Sequence, residues 1–181
     1  MLLSAGFMQD PMHRWLFPDA DDRARLHPAF FAPLVAMALA HGNVWTTRDH
    51  SGAALWLPFD AAAESGEPGM AELFEPTLGG DVARRLREFD RQASVIHPKD
   101  RDHEYLAFIV VRPGETGRGI GTALLEKQLT ELDHRARPAY LEATNADSAR
   151  LYRRFGFKPL GPDIRMPDGP VLLPMWREPA R

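Results

Sequence analysis

A nearly unbroken apolar and aromatic run at residues 104–111 passes through Pro113 into glycines at 117, 119 and 121, and then into Leu124, Leu125, Leu129 and Leu132 at helical spacing. An unbroken apolar run reads as a strand covered on both faces, and leucines spaced in this way read as the buried face of a helix. A further apolar run at 139–143 completes a β, α, β unit, which restricts the chain to an α/β layered fold. The turn inside that unit also carries chemistry. Gly tolerates positive φ and lets a ligand approach the main chain. The first N–H groups of the following helix have no intrahelical acceptor, so with the helix dipole behind them they attract an anion.

Three common glycine loops begin this way, and the residues discriminate among them. A P-loop needs Gly-Lys followed by Ser or Thr, and no such run occurs. A dinucleotide fingerprint needs a third small residue three places after its second glycine, where Thr122 or Leu124 stands, depending on the glycine that starts the count. Glu142 closes an apolar run about 20 residues past the loop, where a dinucleotide fold would hold ribose. Fewer than 40 residues follow it, too few for the second half of a doubly wound sheet.

Downstream stands a second motif, Asn145, Ser148, Leu151-Tyr152 and Gly156-Phe157. With the glycine loop it resembles the GNAT superfamily of acetyl-CoA-dependent N-acetyltransferases, most strongly over 104–160; the pair is far more specific than either motif alone. More weakly, Arg14-Trp15-Leu16-Phe17-Pro18-Asp19, Ala53-Ala54-Leu55-Trp56 and Met166-Pro167-Asp168-Gly169-Pro170 are similar to the branch that contains puromycin N-acetyltransferase. The resemblance implies an α/β fold with a mixed central sheet and helices on both faces. It also implies a single domain over 1–181, with a CoA-binding core at about 104–160 and an acceptor-side insertion at 58–103.

The resemblance assigns roles as well. Thr116, Gly117, Arg118, Gly119, Ile120, Gly121 and Thr122 would cradle the pyrophosphate of CoA, and the backbone of Ile109, Val110 and Val111 would run beside the pantetheine arm. Asn145 would contact that arm or simply cap the next helix, and Tyr152 would face the thioester sulfur as general acid. Two departures stand out. Thr116 occupies a position where family members usually carry Gln or Arg, so one side-chain contact to the pyrophosphate is either lost or taken over by Arg118. The chain opens at 1–7 in what reads as the family's first helix, so the customary first strand has no sequence here.

The base that takes the amine proton is less legible. An alkyl ammonium has a pKa of about 10, so a side chain or a water relay must accept its proton, or the neutral amine must be selected. Glu142, at a strand end near the donor, is the first candidate. His103 and Glu104 lie about seven residues from the loop, more than 20 Å along an extended strand. Phe7, Trp15, Phe17, Phe59 and Phe74 supply aromatic surface for the acceptor, with no matching acidic cluster visible in the sequence, which suits a small, partly apolar amine.

Composition removes other classes. The 181 residues are 44% hydrophobic and 26% charged, with a formal net charge of -3 and no basic block, so nucleic acid is not an expected partner. No apolar run approaches the ~20 residues of a membrane span, and residues 1–7 lack the features of a signal peptide, so the expected location is cytoplasmic. The absence of cysteine excludes disulfides, Cys-ligated zinc and a thiol nucleophile, so transfer is expected to be direct. The seven His show no metal-binding spacing, and no metal is expected. A homodimer is left open. The alternatives are a non-catalytic CoA-binding sensor and a transferase using another acyl-CoA.

For the remaining chain, helices are expected at 7–18, 28–40 and 81–94, a hairpin of strands at 44–47 and 53–57, and a loop or lid at 58–80 with one helical turn near 70–74. Strands near 157–160 and 171–177 are expected to close the sheet.

Overall fold

The computed structural model describes residues 1–40, 43–62 and 70–180. Three helices, α1 (Leu2–Phe7), α2 (Pro11–Leu16) and α3 (Ala20–Ala40), precede the hairpin of β1 (Val44–Thr46) and β2 (Gly52–Phe59). Helices α4 (Met70–Leu78) and α5 (Gly80–Ile96) lead to β3 (His103–Val111), α6 (Ile120–His134), β4 (Ala139–Ala143) and α7 (Ala146–Arg154). Short strands β5 (Lys158–Pro159) and β6 (Ile164–Arg165) and the long β7 (Val171–Arg177) complete the chain. The seven-stranded sheet runs β1-β2-β3-β4-β7-β5, with β6 also on β7. Among the described pairings β3 and β4 run parallel and the others antiparallel, which gives the mixed sheet expected from the sequence.

Each face of the sheet has its own core. On one side Leu124, Leu125, Leu129 and Leu132 of α6 and Tyr152 of α7 pack on Trp56, Leu106 and Leu141. On the other, Leu3, Phe30, Phe31, Phe74 and Leu86 from α1, α3, α4 and α5 pack on Leu55 and Val110. Leu125 and Phe31 have no exposed surface, and each such burial stabilises the fold by about 1.5–3 kcal/mol.

Two irregularities in β3 position the site. Leu55 pairs with Phe108 and Trp56 with Leu106, which leaves Ala107 as an extra residue in a β-bulge. A bulge shifts the two-residue alternation and bends its strand. Consequently Tyr105 before it, Ala107 within it and Phe108 after it all line the same cavity. The second irregularity is a fork. Parallel pairing of β3 with β4 is confined to Glu104 with Ala139 and Tyr105 with Tyr140, beyond which the strands separate.

Several boundaries differ from the sequence reading for identifiable reasons. The helix expected at 7–18 is broken: Asp10 caps α2 by accepting from the N–H groups of Met12 (2.9 Å) and His13 (3.2 Å), with Pro11 at the first helical position. Helix α3 begins eight residues before Pro28, where the Asp19 carboxylate accepts from Asp21 N (2.9 Å) and Asp22 N (2.8 Å), and it carries Pro28 and Pro33 inside. Of the described residues in the supposed loop at 58–80, most are regular: β2 continues to Phe59, and α4 holds nine residues. The centre of the proposed lid, 63–69, lies outside the described residues. Among the described residues no helix is long and apolar enough to cross a membrane.

Candidate active site

The glycine turn is built as a row of outward donors. Gly117 and Gly119 have φ of 78° and 81°, in the left-handed region, and a Cβ at either position would meet nothing within 4 Å. The first backbone hydrogen bond of α6 is Ala123 N–H to Gly119 O at 2.9 Å, and no side chain caps the helix. Among the described residues, the seven successive N–H groups from Thr116 to Thr122 therefore have no protein acceptor. Solvent-facing amides on positive-φ glycines at the positive end of a 15-residue helix fit a diphosphate. Arg118 does not stand free beside them: its guanidinium donates to Glu115 at 3.0 Å, and Glu115 also accepts from Arg112 at 2.9 Å. Arg112 in turn donates to the carbonyls of Asp49 (3.0 Å) and His50 (3.1 Å), bracing the turn against the β1–β2 connection.

The second motif lies against the first. A Cβ on Gly121 would sit 3.5 Å from Leu151 Cδ2 and 3.8 Å from Val111 Cγ2, so the first turn of α6, the end of β3 and the helix bearing Tyr152 meet at one point. Ile109 packs with the α6–α7 core, while Val110 is buried under α1, where a Cβ on Gly6 would approach its Cγ2 to 2.0 Å. Those side chains are core; what this stretch offers a ligand is main chain along the fork. Asn145 caps α7, its Oδ1 accepting from Ser148 N at 2.8 Å. Of its two expected roles, the structure shows the capping one. Gly156 ends the helix at φ 86°.

Tyr152 is buried, its ring 5.9 Å from that of Phe157. Burial, and secondarily the charge of Asp10, raise its pKa above the ordinary phenol value. The phenol thus stays protonated, a hydrogen-bond donor whose full proton release is costly. Asp10 was not singled out in the sequence. Its Oδ1 caps α2 while its Oδ2 accepts from the Thr144 hydroxyl at 2.7 Å, tying the N-terminal helices to the end of β4. Asp followed by Pro is a cap signature, but its proximity to Tyr152 exists only in the fold.

Beside the fork lies a cavity of about 580 Å³. Phe7, Phe30, Phe59, Phe89 and Phe108 form aromatic walls, and Asp10, Asp90 and Glu142 contribute carboxylates from three different elements. This corrects the expectation of an aromatic pocket without acids: residues far apart in sequence converge here. Of the aromatics named in advance, Phe7 and Phe59 line it, Phe17 and Phe74 are buried in the core, and Trp15 lines a separate surface groove. In that groove Trp15 Nε1 donates to Pro167 O at 2.9 Å, so two of the three segments similar to the puromycin branch pack on one another.

Burial raises the pKa of Glu142 despite the opposing influence of the Tyr105 and Tyr140 hydroxyls, which stand beside its carboxylate. The Tyr140 hydroxyl is buried without a hydrogen bond of standard geometry. Glu104, by contrast, is ion-paired with Arg137 at 3.2 Å and does not line the cavity. His103 is buried behind His97, which does line it. His13, on the opposite wall, has its pKa lowered to about 3 by burial and by His27 and Arg23, so its ring is neutral.

The family model for the acetyltransferase (GNAT) domain matches residues 85–159, which hold both the loop and Tyr152. This stretch of the chain matches a GNAT acetyltransferase domain. An uncharacterized N-acetyltransferase of Schizosaccharomyces pombe is 25% identical over 163 residues, covering 84% of this chain. The chain spans 66% of that protein's length. Among solved structures, one from Corynebacterium glutamicum described as histone acetyltransferase HPA2 and related acetyltransferase is 28% identical. The alignment covers 99% of this chain and 88% of that one, with a TM-score of 0.67. The arylalkylamine N-acetyltransferase 2 of Aedes aegypti shares the fold, with a TM-score of 0.70, 15% identity, and coverage of 98% and 91%.

Proposed function

We propose that the protein transfers an acetyl group from acetyl-CoA to a small, partly aromatic amine by direct attack in a ternary complex. What supports this reading is the amide row at 116–122, which touches the helix of Tyr152 through Gly121 and Leu151, together with an acid-bearing aromatic cavity whose Asp10 acts on Tyr152. When bound there, acetyl-CoA supplies the activated acyl group. Residues 116–122 would hold its diphosphate through backbone, and the unpaired main chain near Ile109, Val110 and Val111 would align its arm.

In the reaction a C–N bond forms and the C–S bond breaks. Glu142, alone or through a water it holds, accepts the proton of the incoming ammonium; a carboxyl raised by burial is a better base than an exposed one. Tyr152 donates a hydrogen bond to the departing sulfur, which leaves as thiolate and takes up the second proton shed by the acylated nitrogen. A free phenol titrates near 10 and a thiol near 8.5, so outright transfer to sulfur is uphill by roughly 2 kcal/mol before the burial of Tyr152 adds to it. Stabilising the developing charge is the role the geometry supports. Kinship with the puromycin N-acetyltransferase branch, without its substrate, rests on the sequence segments 14–19, 53–56 and 166–170 alone.

The test is free-thiol release from acetyl-CoA across a panel of amines, beside thermal shift with acetyl-CoA, CoA and NADH. Stabilisation by CoA with thiol release for aromatic amines is expected. Stabilisation with no release from any acceptor would favour a CoA-binding sensor, and stabilisation by NADH alone would overturn CoA as the ligand of the glycine turn.

A further inference from the structure

His97 and His103 place their Nε2 atoms 3.1 Å apart, and His103 Nδ1 lies 2.8 Å from the Arg101 carbonyl. A carbonyl can only accept, so His103 Nδ1 carries a proton and its Nε2, in the neutral ring, carries a lone pair. The short contact between the two Nε2 atoms then requires the proton on His97 Nε2. This leaves His97 Nδ1 as an unprotonated acceptor, and among the described residues it has no hydrogen-bond partner. Burial, then His103 and Lys99, lower the pKa of His97 to about 4, which keeps the ring neutral. The ring is wedged among Phe59, Tyr105 and Tyr140 at centroid distances of 4.9, 5.6 and 4.6 Å.

His97 also marks the far end of the cavity. It packs against residues at the start of β3, whereas the glycine loop leaves from Val111, six residues and about 20 Å farther along the strand. Between them lie the phenylalanine walls. Lys99, close to His97, disfavours a second cation at this end and leaves a neutral donor as the matching group.

We propose that His97 is a specificity-determining residue that accepts a hydrogen bond from a neutral O–H or N–H on the distal ring edge of an aromatic amine, with His103 fixing the tautomer that makes this possible. This rests on the acetyl-transfer reading for the amine end, but the contact itself is one of binding. The probes are 2-phenylethylamine and its 4-hydroxy counterpart, assayed by kcat/KM with acetyl-CoA and by calorimetric Kd with CoA present. The wild-type chain is expected to favour the hydroxylated amine by about three- to tenfold, the range of one net hydrogen bond. In His97→Phe, which keeps a planar ring, the preference should fall to unity while the unhydroxylated amine stays within about threefold of wild type. His103→Phe should reduce the preference without touching the ligand. Equal affinities in the wild type, or a preference that survives His97→Phe, overturn the proposal. Should neither amine be acetylated while the His97-dependent binding preference holds, the acetyl-transfer reading fails and this subsite stands.

Discussion

Gly119 offers a direct measure of how much the phosphate cradle depends on backbone shape. It is the N-cap of α6, with φ 81° and ψ 0°, and a Cβ there would touch nothing within 4 Å. Gly119→Ala therefore introduces no clash, only the cost of holding an L-residue in the left-handed region, about 1–2 kcal/mol. The turn is exposed and can relax out of that conformation in the free protein, so the cost falls on ligand binding. At about 1.4 kcal/mol per tenfold, Kd for CoA should rise roughly five- to thirtyfold, with kcat at saturating acetyl-CoA little changed. Gly121→Ala is the matched control. It sits inside the helix at ordinary φ, with its Cβ in normal van der Waals contact at 3.5 Å from Leu151, and it should bind CoA within about twofold of wild type. Isothermal calorimetry with CoA reads both. An Ala at 121 that weakens binding as much as one at 119, or two neutral variants, would refute the claim that this bend grips the diphosphate.

Tyr152→Phe should lower kcat tenfold or more with CoA affinity nearly unchanged; unaltered turnover removes the phenol from the mechanism. Activity that depends on ionised Glu142 should fall as pH drops through its raised pKa, giving an acid limb above the usual carboxylate range. Glu142→Gln should abolish that limb and slow the reaction, and a full rate with the limb in place would dismiss it. Arg177 forms two 2.7 Å bonds to Asp133 and a third, through Nε, to Phe155 O at 2.8 Å, and only 9% of its side chain is exposed. Arg177→Met should cost about 3 kcal/mol, or roughly 6–12 °C in Tm for a chain of this size. Because Arg177 lowers the pKa of Asp133, that stability is present above the ordinary carboxylate pKa and is lost as pH falls through the lowered one. The Tm gap between the two proteins should therefore narrow below about pH 4.

The strand, turn and helix at 103–134 were legible because every local signal there agrees: apolar continuity, Pro113, the alternating glycines and the leucine spacing. The strand at 139–143 and the helix capped by Asn145 were readable for the same reason. What the sequence hid is what depends on register and on distant pairing. The bulge at Ala107 adds a residue without any marker in the run 104–111, yet it brings Phe108 to the cavity side. The carboxylates of Asp10, Asp90 and Glu142 belong to α2's cap, α5 and β4, so their convergence follows from tertiary packing alone. The boundary of α3 was missed because Pro28 looks like a helix start, while the true signal, the Asp19 side chain on the N–H groups of Asp21 and Asp22, is one short acid among several. Glu104, less favoured in the sequence for its distance from the loop, is ion-paired with Arg137, a partner that sequence distance does not reveal.

The separation of β3 from β4 after only two rungs has a consequence for how this region can vary. Peptide groups on the inner edges of the fork are left for whatever slides between them, and peptide groups are the same in every residue. A guest strand-like arm recognised in this way asks nothing of the side chains at 109–111 beyond filling the two cores behind them. Substitutions there that conserve volume should leave cofactor affinity intact while altering stability, so drift in this stretch would register as a change in melting temperature long before it registered in catalysis.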